Sequence, residues 1–196
     1  METRAELRRR IRQQRSKLTA AQQTEATQQL VDLLLPELLK RQVQHIALYL
    51  SNDGELNTLP LIQALWQHNI LVALPVLHPF SPGHLLFLHY HPDSPMTTNR
   101  YGIAEPRLDI SQLVPLHKLD LILTPLVAFD KQGNRLGMGG GFYDRTLACS
   151  NAPAAMGIAH ECQKVSALPV ESWDIPLPEI ATPDALYQFS TPNLHL

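Results

Sequence analysis

The chain has 196 residues, 44% apolar and 17% charged, enough to bury one sizeable core and short for two ordinary domains. No run approaches the roughly 18 consecutive apolar residues of a membrane span, and the two cysteines, Cys149 and Cys162, follow no metal or redox spacing. The formal net charge of −2 hides a split: residues 1–20 carry seven Arg or Lys against two Glu, a balance of +5, so the remainder carries −7.

The first twenty residues lack the apolar centre and small-residue cleavage site of a secretory signal, and Glu2 and Glu6 are out of place in an Arg-rich transit peptide. A soluble, cytoplasmic protein is expected, with no membrane partner. "RAELRRRIRQQRSK" sets Leu7, Ile11 and Leu18 at helical spacing and Arg8, Arg12 and Arg15 on another face, an amphipathic helix with a cationic side. Thr19 is placed to cap a second helix, which Pro36 in "LVDLLLPELL" should bend or break.

From His45 the texture changes. "HIALYL", bounded by the turn formers of "SNDGE", predicts a buried strand; a helix follows over about Thr58 to His68, then a second strand in "NILVALP". Strand, helix, strand is the mark of a parallel α/β unit. "HLLFLHY", "LDLILTPLVAF" and "AMGIAH" extend the series. The expected fold is a single α/β domain over residues 1–196, a mostly parallel Rossmann-like sheet of five or six strands with helices on both faces. Both cysteines are expected to pack as small hydrophobes in a reducing compartment. His89 and His91 would share one strand face, but no third ligand accompanies them, which favours packing over metal binding.

The chemistry concentrates in "RLGMGGGFYDR", Arg135 to Arg145, beyond the fourth strand. Gly137, Gly139, Gly140 and Gly141 stand where an open α/β sheet receives ligands, and bare backbone lets several N–H groups converge on an anion. It is neither a Walker loop nor G-x-G-x-x-G, since Phe142 takes the last glycine's place. Taken alone, the run could equally be a flexible turn. Arg135 and Arg145 bracket it with guanidinium groups suited to phosphate oxygens. Asp144 could bind a divalent cation or simply complement the following helix's dipole.

"LTPLVAFDKQGNRLGMGGGFYDR" closely resembles the signature of the 5-formyltetrahydrofolate cyclo-ligase family, also called methenyltetrahydrofolate synthetases. "LRRRIRQQRSKLT", "SNDGELNT", "YGIAEP" and "GIAHECQKVSALPVESWDIPL" follow the family's order, so the likeness spans almost the whole chain. It implies ATP- and Mg²⁺-dependent closure of 5-formyltetrahydrofolate to 5,10-methenyltetrahydrofolate, with release of ADP and phosphate and without a covalent protein nucleophile. By the same resemblance, Arg4, Ala5, Glu6, Leu7 and Arg8 match the N-terminal nucleotide-binding stretch. Arg135, Leu136, Gly137, Met138, Gly139, Gly140, Gly141, Phe142 and Tyr143, with Arg145, match the ATP loop. Its portion Met138 to Phe142 also faces folate.

Leu50 and Glu55 sit where the family contacts folate, and a carboxylate accepting paired N–H donors suits an aminopyrimidine edge; Glu55 would otherwise be a solvated turn charge. Tyr143 could pack on the pterin or anchor its helix. Asp144 and Asp174 match the magnesium-associated aspartates, though Asp174 alone would pass for a turn former. Three positions depart from common family usage: Gly140 replaces a lysine, Met138 a tyrosine or arginine, and Trp173 a histidine. The reading is a monomeric enzyme acting on folate and ATP. The alternatives are a folate- or nucleotide-binding protein without turnover and an RNA binder built on the basic helix; the acidic remainder of the chain and the lack of interleaved aromatic and basic residues oppose the latter.

Overall fold

The computed structural model describes residues 2–190. In chain order its helices are α1 Arg4–Arg15, α2 Ala20–Lys40, α3 Leu59–Gln67 and α4 Phe142–Leu147. Its strands are β1 His45–Ala47, β2 Leu71–Leu77, β3 Leu85–His89, β4 Met96–Thr98, β5 Ala104–Pro106, β6 Leu121–Pro125, β7 Ala128–Phe129, β8 Arg135–Leu136, β9 Ala154–Ile158, β10 Glu179–Ala181 and β11 Leu186–Gln188.

Seven strands form one sheet in the order β11-β10-β9-β6-β1-β2-β3. The five central strands are parallel, and β3 and β11 run antiparallel at the two edges. The sheet is therefore larger than five or six strands. β10 and β11 have three residues each and sit among prolines and turn formers, too short for periodicity to show them. "LVAF" does not prolong the fourth strand either: β7 leaves the sheet and pairs with β8 as a separate hairpin.

Alternation along the central strands divides the core. Ile46, Leu48, Val72, Leu74, Leu121 and Leu123 bury against α2 and α3, whereas Ala47, Ala73 and Ile122 face a smaller cluster joined by Tyr143 and Leu147 of α4. Thr19 and Gln22 form a capping box at the start of α2. Pro36 does not break that helix, which is continuous from Ala20 to Lys40. The ring forfeits one backbone hydrogen bond, but Leu30, Leu34 and Leu38, one turn apart and fully buried, hold the helix to the sheet on both sides of it.

On α1 the spacing of four runs Leu7, Ile11, Arg15, and all three are buried. Arg15 is thus not on the cationic face where its charge suggested; it lies on the apolar stripe, at 0% exposure. Leu18 falls beyond the helix end. Leu7 and Ile11 pack on Val127, Ala128 and Leu136, so α1 is part of the fold and holds the β7–β8 hairpin. Cys149 is exposed, contrary to a packing role, because α4 ends at Leu147 and the chain turns outward; Cys162 is half-buried. No helix among the described residues is long and apolar enough to cross a membrane.

Candidate active site

A cavity of about 810 Å³ opens at the carboxyl ends of β1 and β6. Tyr49 and Leu50, just past β1, and Pro125 and Leu126, at the end of β6, form its floor. From β1 the sheet grows toward β2 and β3, from β6 toward β9 and β10. The cleft therefore lies at the topological switch point, where the ends of adjacent strands diverge and leave a crevice.

The β7–β8 hairpin brings the glycine loop back over this crevice. Buried Asp130 ties its turn by accepting from the Gln132 amide at 2.9 Å, Asn134 Nδ2 at 3.0 Å and the Leu168 amide at 3.1 Å. Past β8, Gly139 (φ +100°) and Gly141 (φ +67°) adopt backbone conformations that L side chains resist. Arg8 Nε donates to the Gly137 carbonyl at 2.8 Å, and Arg145 Nη1 donates to the Gly140 carbonyl at 2.8 Å and that of Gly83 at 3.1 Å. These bonds engage the loop's carbonyls. Its N–H groups, from Gly137 to Gly141, have no hydrogen-bond partner among the described residues. A row of unpaired amides at a cavity wall has the donors to receive an anion. The following helix contributes little field, because α4 has only six residues.

Two arginine–carboxylate pairs close the same end. Arg135, 5% exposed, donates from Nη2 to Asp144 Oδ1 at 2.6 Å, while its buried Nε has no partner. Burial pushes the Arg135 pKa down, against the pull of Asp144. Arg4 grips both oxygens of Asp174 and also donates to the Pro169 carbonyl at 3.1 Å. Burial works against the charge on Asp174, but the Arg4 bond and the Glu171 amide outweigh it and hold its pKa below the ordinary value. The described residues contain no cluster of three or more His, Cys, Asp or Glu able to cage a metal. A magnesium ion carried by phosphates needs only one or two carboxylates, and the donor set meets that demand: Asp144 Oδ2 has no protein partner, whereas both Asp174 oxygens are engaged.

At the other end of the cavity stands Glu55, half-buried beside Leu50. Its Oε2 accepts from the Asn52 amide at 3.1 Å. Burial raises its pKa to about 7, opposed by that bond and by Arg15. Tyr143 lines the cavity and packs beneath it with Phe87 and Ala73, so it anchors its helix; burial pushes its phenol pKa up.

The remaining expected residues divide. Phe142 and Met138 line the cavity, Met138 at 53% exposure. Ala5 and Glu6 are exposed and do not line it; Glu6 serves the capping box with Thr3. Leu7 and Leu136 are core residues. Arg145 does not reach the cavity wall and acts as a brace behind the loop. Gly140 is crowded, since a Cβ there would sit 2.6 Å from Phe142 Cε2; a lysine in its place requires that ring to turn. Sequence reasoning missed Arg12, Asp53, Tyr49, Tyr101, Glu105 and Trp173 as cavity residues. Tyr101 meets Phe142 edge-on at 6.0 Å, and Glu105 on β5 accepts from Asn99 Nδ2 at 3.0 Å. The β4–β5 hairpin that carries them has no long-range signal in its residues.

Fold and cleft together define a doubly wound α/β protein with a ligand crevice at its switch point. The family model of the 5-formyltetrahydrofolate cyclo-ligase family matches residues 1–183, and the chain belongs to that family. It is 52% identical over 179 residues to the 5-formyltetrahydrofolate cyclo-ligase of Haemophilus influenzae, covering 90% of this chain and 96% of that one. Its identity to the enzyme of the same name from Escherichia coli is 51% over 181 residues, 91% of this chain and 100% of the other. The fold superposes on the 5,10-methenyltetrahydrofolate synthetase of Aquifex aeolicus with a TM-score of 0.80 at 26% identity, over 98% of this chain and 97% of that one.

Proposed function

We infer that this chain closes 5-formyltetrahydrofolate to 5,10-methenyltetrahydrofolate at the expense of ATP, giving ADP and phosphate. The unpaired amides of Gly137 to Gly141 in the switch-point cleft carry the reading, because they offer what a polyphosphate needs and little else does. The formamide oxygen is a poor leaving group. It takes the γ-phosphoryl group as ADP departs; the neighbouring folate nitrogen then attacks the activated carbon, loses its proton, and phosphate leaves with the oxygen.

Phosphoryl transfer asks mainly for alignment and charge stabilisation. The loop amides orient the phosphates, with Arg4, Arg8 and Arg135 supplying positive potential around them. Glu55 receives the pterin's paired N–H groups at the far end, and Leu50, Met138 and Phe142 provide apolar contact for its rings. Magnesium, held by Asp144 with Asp174 nearby, would neutralise charge on the transferring group. Four of the arginines on α1 are engaged within the chain, by Asp53, Asp174 and the Gly137 carbonyl, which argues for a small-molecule enzyme and against a surface that tracks nucleic acid. We further propose that residues 1–196 act as one monomeric domain in the cytoplasm.

The test is formation of the methenyl product, followed by its absorbance, with and without ATP and Mg²⁺. Product that depends on both supports the reading. Tight folate binding without product would instead favour a binding protein without turnover.

A further inference from the structure

Helix α1 touches both ends of the cavity. At one end Arg4 and Arg8 hold Asp174 and the Gly137 carbonyl. Two turns later, about 12 Å along the axis, Arg12 clasps Asp53 with Nε to Oδ2 at 2.6 Å and Nη2 to Oδ1 at 3.0 Å. Arg15 Nη2 reaches the same Oδ2 at 2.8 Å. Asp53 is the residue in this turn that needs such support: its φ is +53°, left-handed for a side chain, and Gly54 follows at +75°. The turn closes with the Glu55 amide donating to the Asn52 carbonyl at 3.0 Å and the Asn52 amide to Glu55 Oε2 at 3.1 Å. The next side chain in line, Glu55, is the carboxylate at the cavity's far end.

We propose that Asp53 is a positioning residue: clamped by Arg12 and Arg15, it fixes the left-handed turn that aims Glu55 at the substrate's ring edge, and so ties folate recognition to the helix that braces the phosphate loop. The proposal rests on the folate reading above. Arg15 explains why the clamp is ionic. A fully buried guanidinium with Nε and Nη1 unpartnered is a costly group to leave unpaired, and Asp53 is its counter-ion. The groups facing Glu55 are Arg15 from α1, Asp53 in its own turn, Tyr49 after β1 and Tyr143 from α4. Neutralising Asp53 removes a neighbouring anion and leaves the Arg15 cation unbalanced, so it changes the Glu55 environment as well as its aim.

The experiment measures 5-formyltetrahydrofolate and ATP dissociation constants, and folate KM and kcat across pH, for the wild type, Asp53→Asn and Arg12→Gln. Asparagine tolerates the left-handed turn and can still accept from Arg15. Arg12→Gln leaves the Arg15–Asp53 bond in place and removes only an exposed partner of Asp53, so it is expected to fold. Expected are an about tenfold weaker folate affinity for Asp53→Asn, the scale of one misaligned charge-assisted hydrogen bond, with ATP affinity unchanged. A smaller loss in the same direction is expected for Arg12→Gln, together with a folate-binding pH midpoint moved downward in Asp53→Asn. Wild-type folate affinity in both variants, or equal losses of folate and ATP affinity, would overturn the proposal while leaving the function standing. Absence of folate binding to the wild type would sink the functional reading itself.

Discussion

Replacing Glu55 by Gln should stabilise the protein at neutral and alkaline pH while damaging folate binding. Burial raises the Glu55 pKa from 4.5 to about 7, so over that interval the folded state holds more proton than the unfolded chain. Stability then falls as pH rises, and the loss is complete above the folded pKa. At about 1.4 kcal/mol per pH unit the ceiling is about 3.5 kcal/mol; water at the cavity mouth should bring the measured value to between about 1 and 3 kcal/mol. His160 works in the opposite sense. Burial lowers its pKa from 6.5 to about 4, so its contribution is present above pH 6.5 and lost as pH falls toward 4.

The two slopes oppose each other in the wild type, and the Gln variant removes the Glu55 slope while leaving that of His160. Urea unfolding of both proteins at pH 5 and pH 8 isolates Glu55, since His160 is common to them. Glutamine can still accept the Asn52 amide, so no hydrogen bond need be lost. A stability difference between the proteins that is the same at both pH values, or a variant no more stable than the wild type at pH 8, would refute the argument.

Arg8→Ala frees the Gly137 carbonyl and should raise the ATP KM about tenfold with the melting temperature almost unchanged, since a half-exposed arginine adds little stability; steady-state kinetics and calorimetry separate the two. Gly141→Ala places a Cβ 3.0 Å from Arg145 Nη1 at a φ of +67°, and should cost about 1–3 kcal/mol and weaken ATP more than folate in equilibrium binding. Arg4 holds the Asp174 pKa below 3.8, against the desolvation that favours protonation. The stability of that pair is therefore present above pH 3.8 and lost below it, and Asp174→Asn should narrow the gap between pH 5 and pH 3 in urea melts. Arg41→Ala, which cuts the ion pairs to Glu37 and Glu179 far from the cleft, should leave all kinetic constants at wild-type values and change stability by less than about 1 kcal/mol.

Strands β1, β2, β6 and β9 and the glycine loop were legible because each has a local signature: a short apolar run between turn formers, or bare backbone beyond a strand. The rest failed for identifiable reasons. β10 and β11 are strands only because β9 offers an edge to pair with, and Pro36 stays helical only because the sheet receives Leu34 and Leu38 on either side of it. Those are tertiary facts, and a window of sequence around the residue contains neither. The turn from Asp130 to Asn134 is different: its bonds to Gln132, Gly133 and Asn134 are local, and only the Leu168 amide reaches it from afar, so the hairpin had a turn signal that the apolar run of "LVAF" masked.

Arg15 shows how charge type can mislead where spacing is right. Leu7, Ile11 and Arg15 recur every fourth residue, so periodicity alone assigns all three to one face; chemistry assigns an arginine to water, and sorting α1 by charge follows chemistry. The structure follows spacing, because Asp53, 38 positions away, supplies the counter-ion. That same distant carboxylate connects the helix bracing the glycine loop to the turn bearing Glu55. A residue with no signature of its own thus joins the two that have one, through a pairing that neither partner announces.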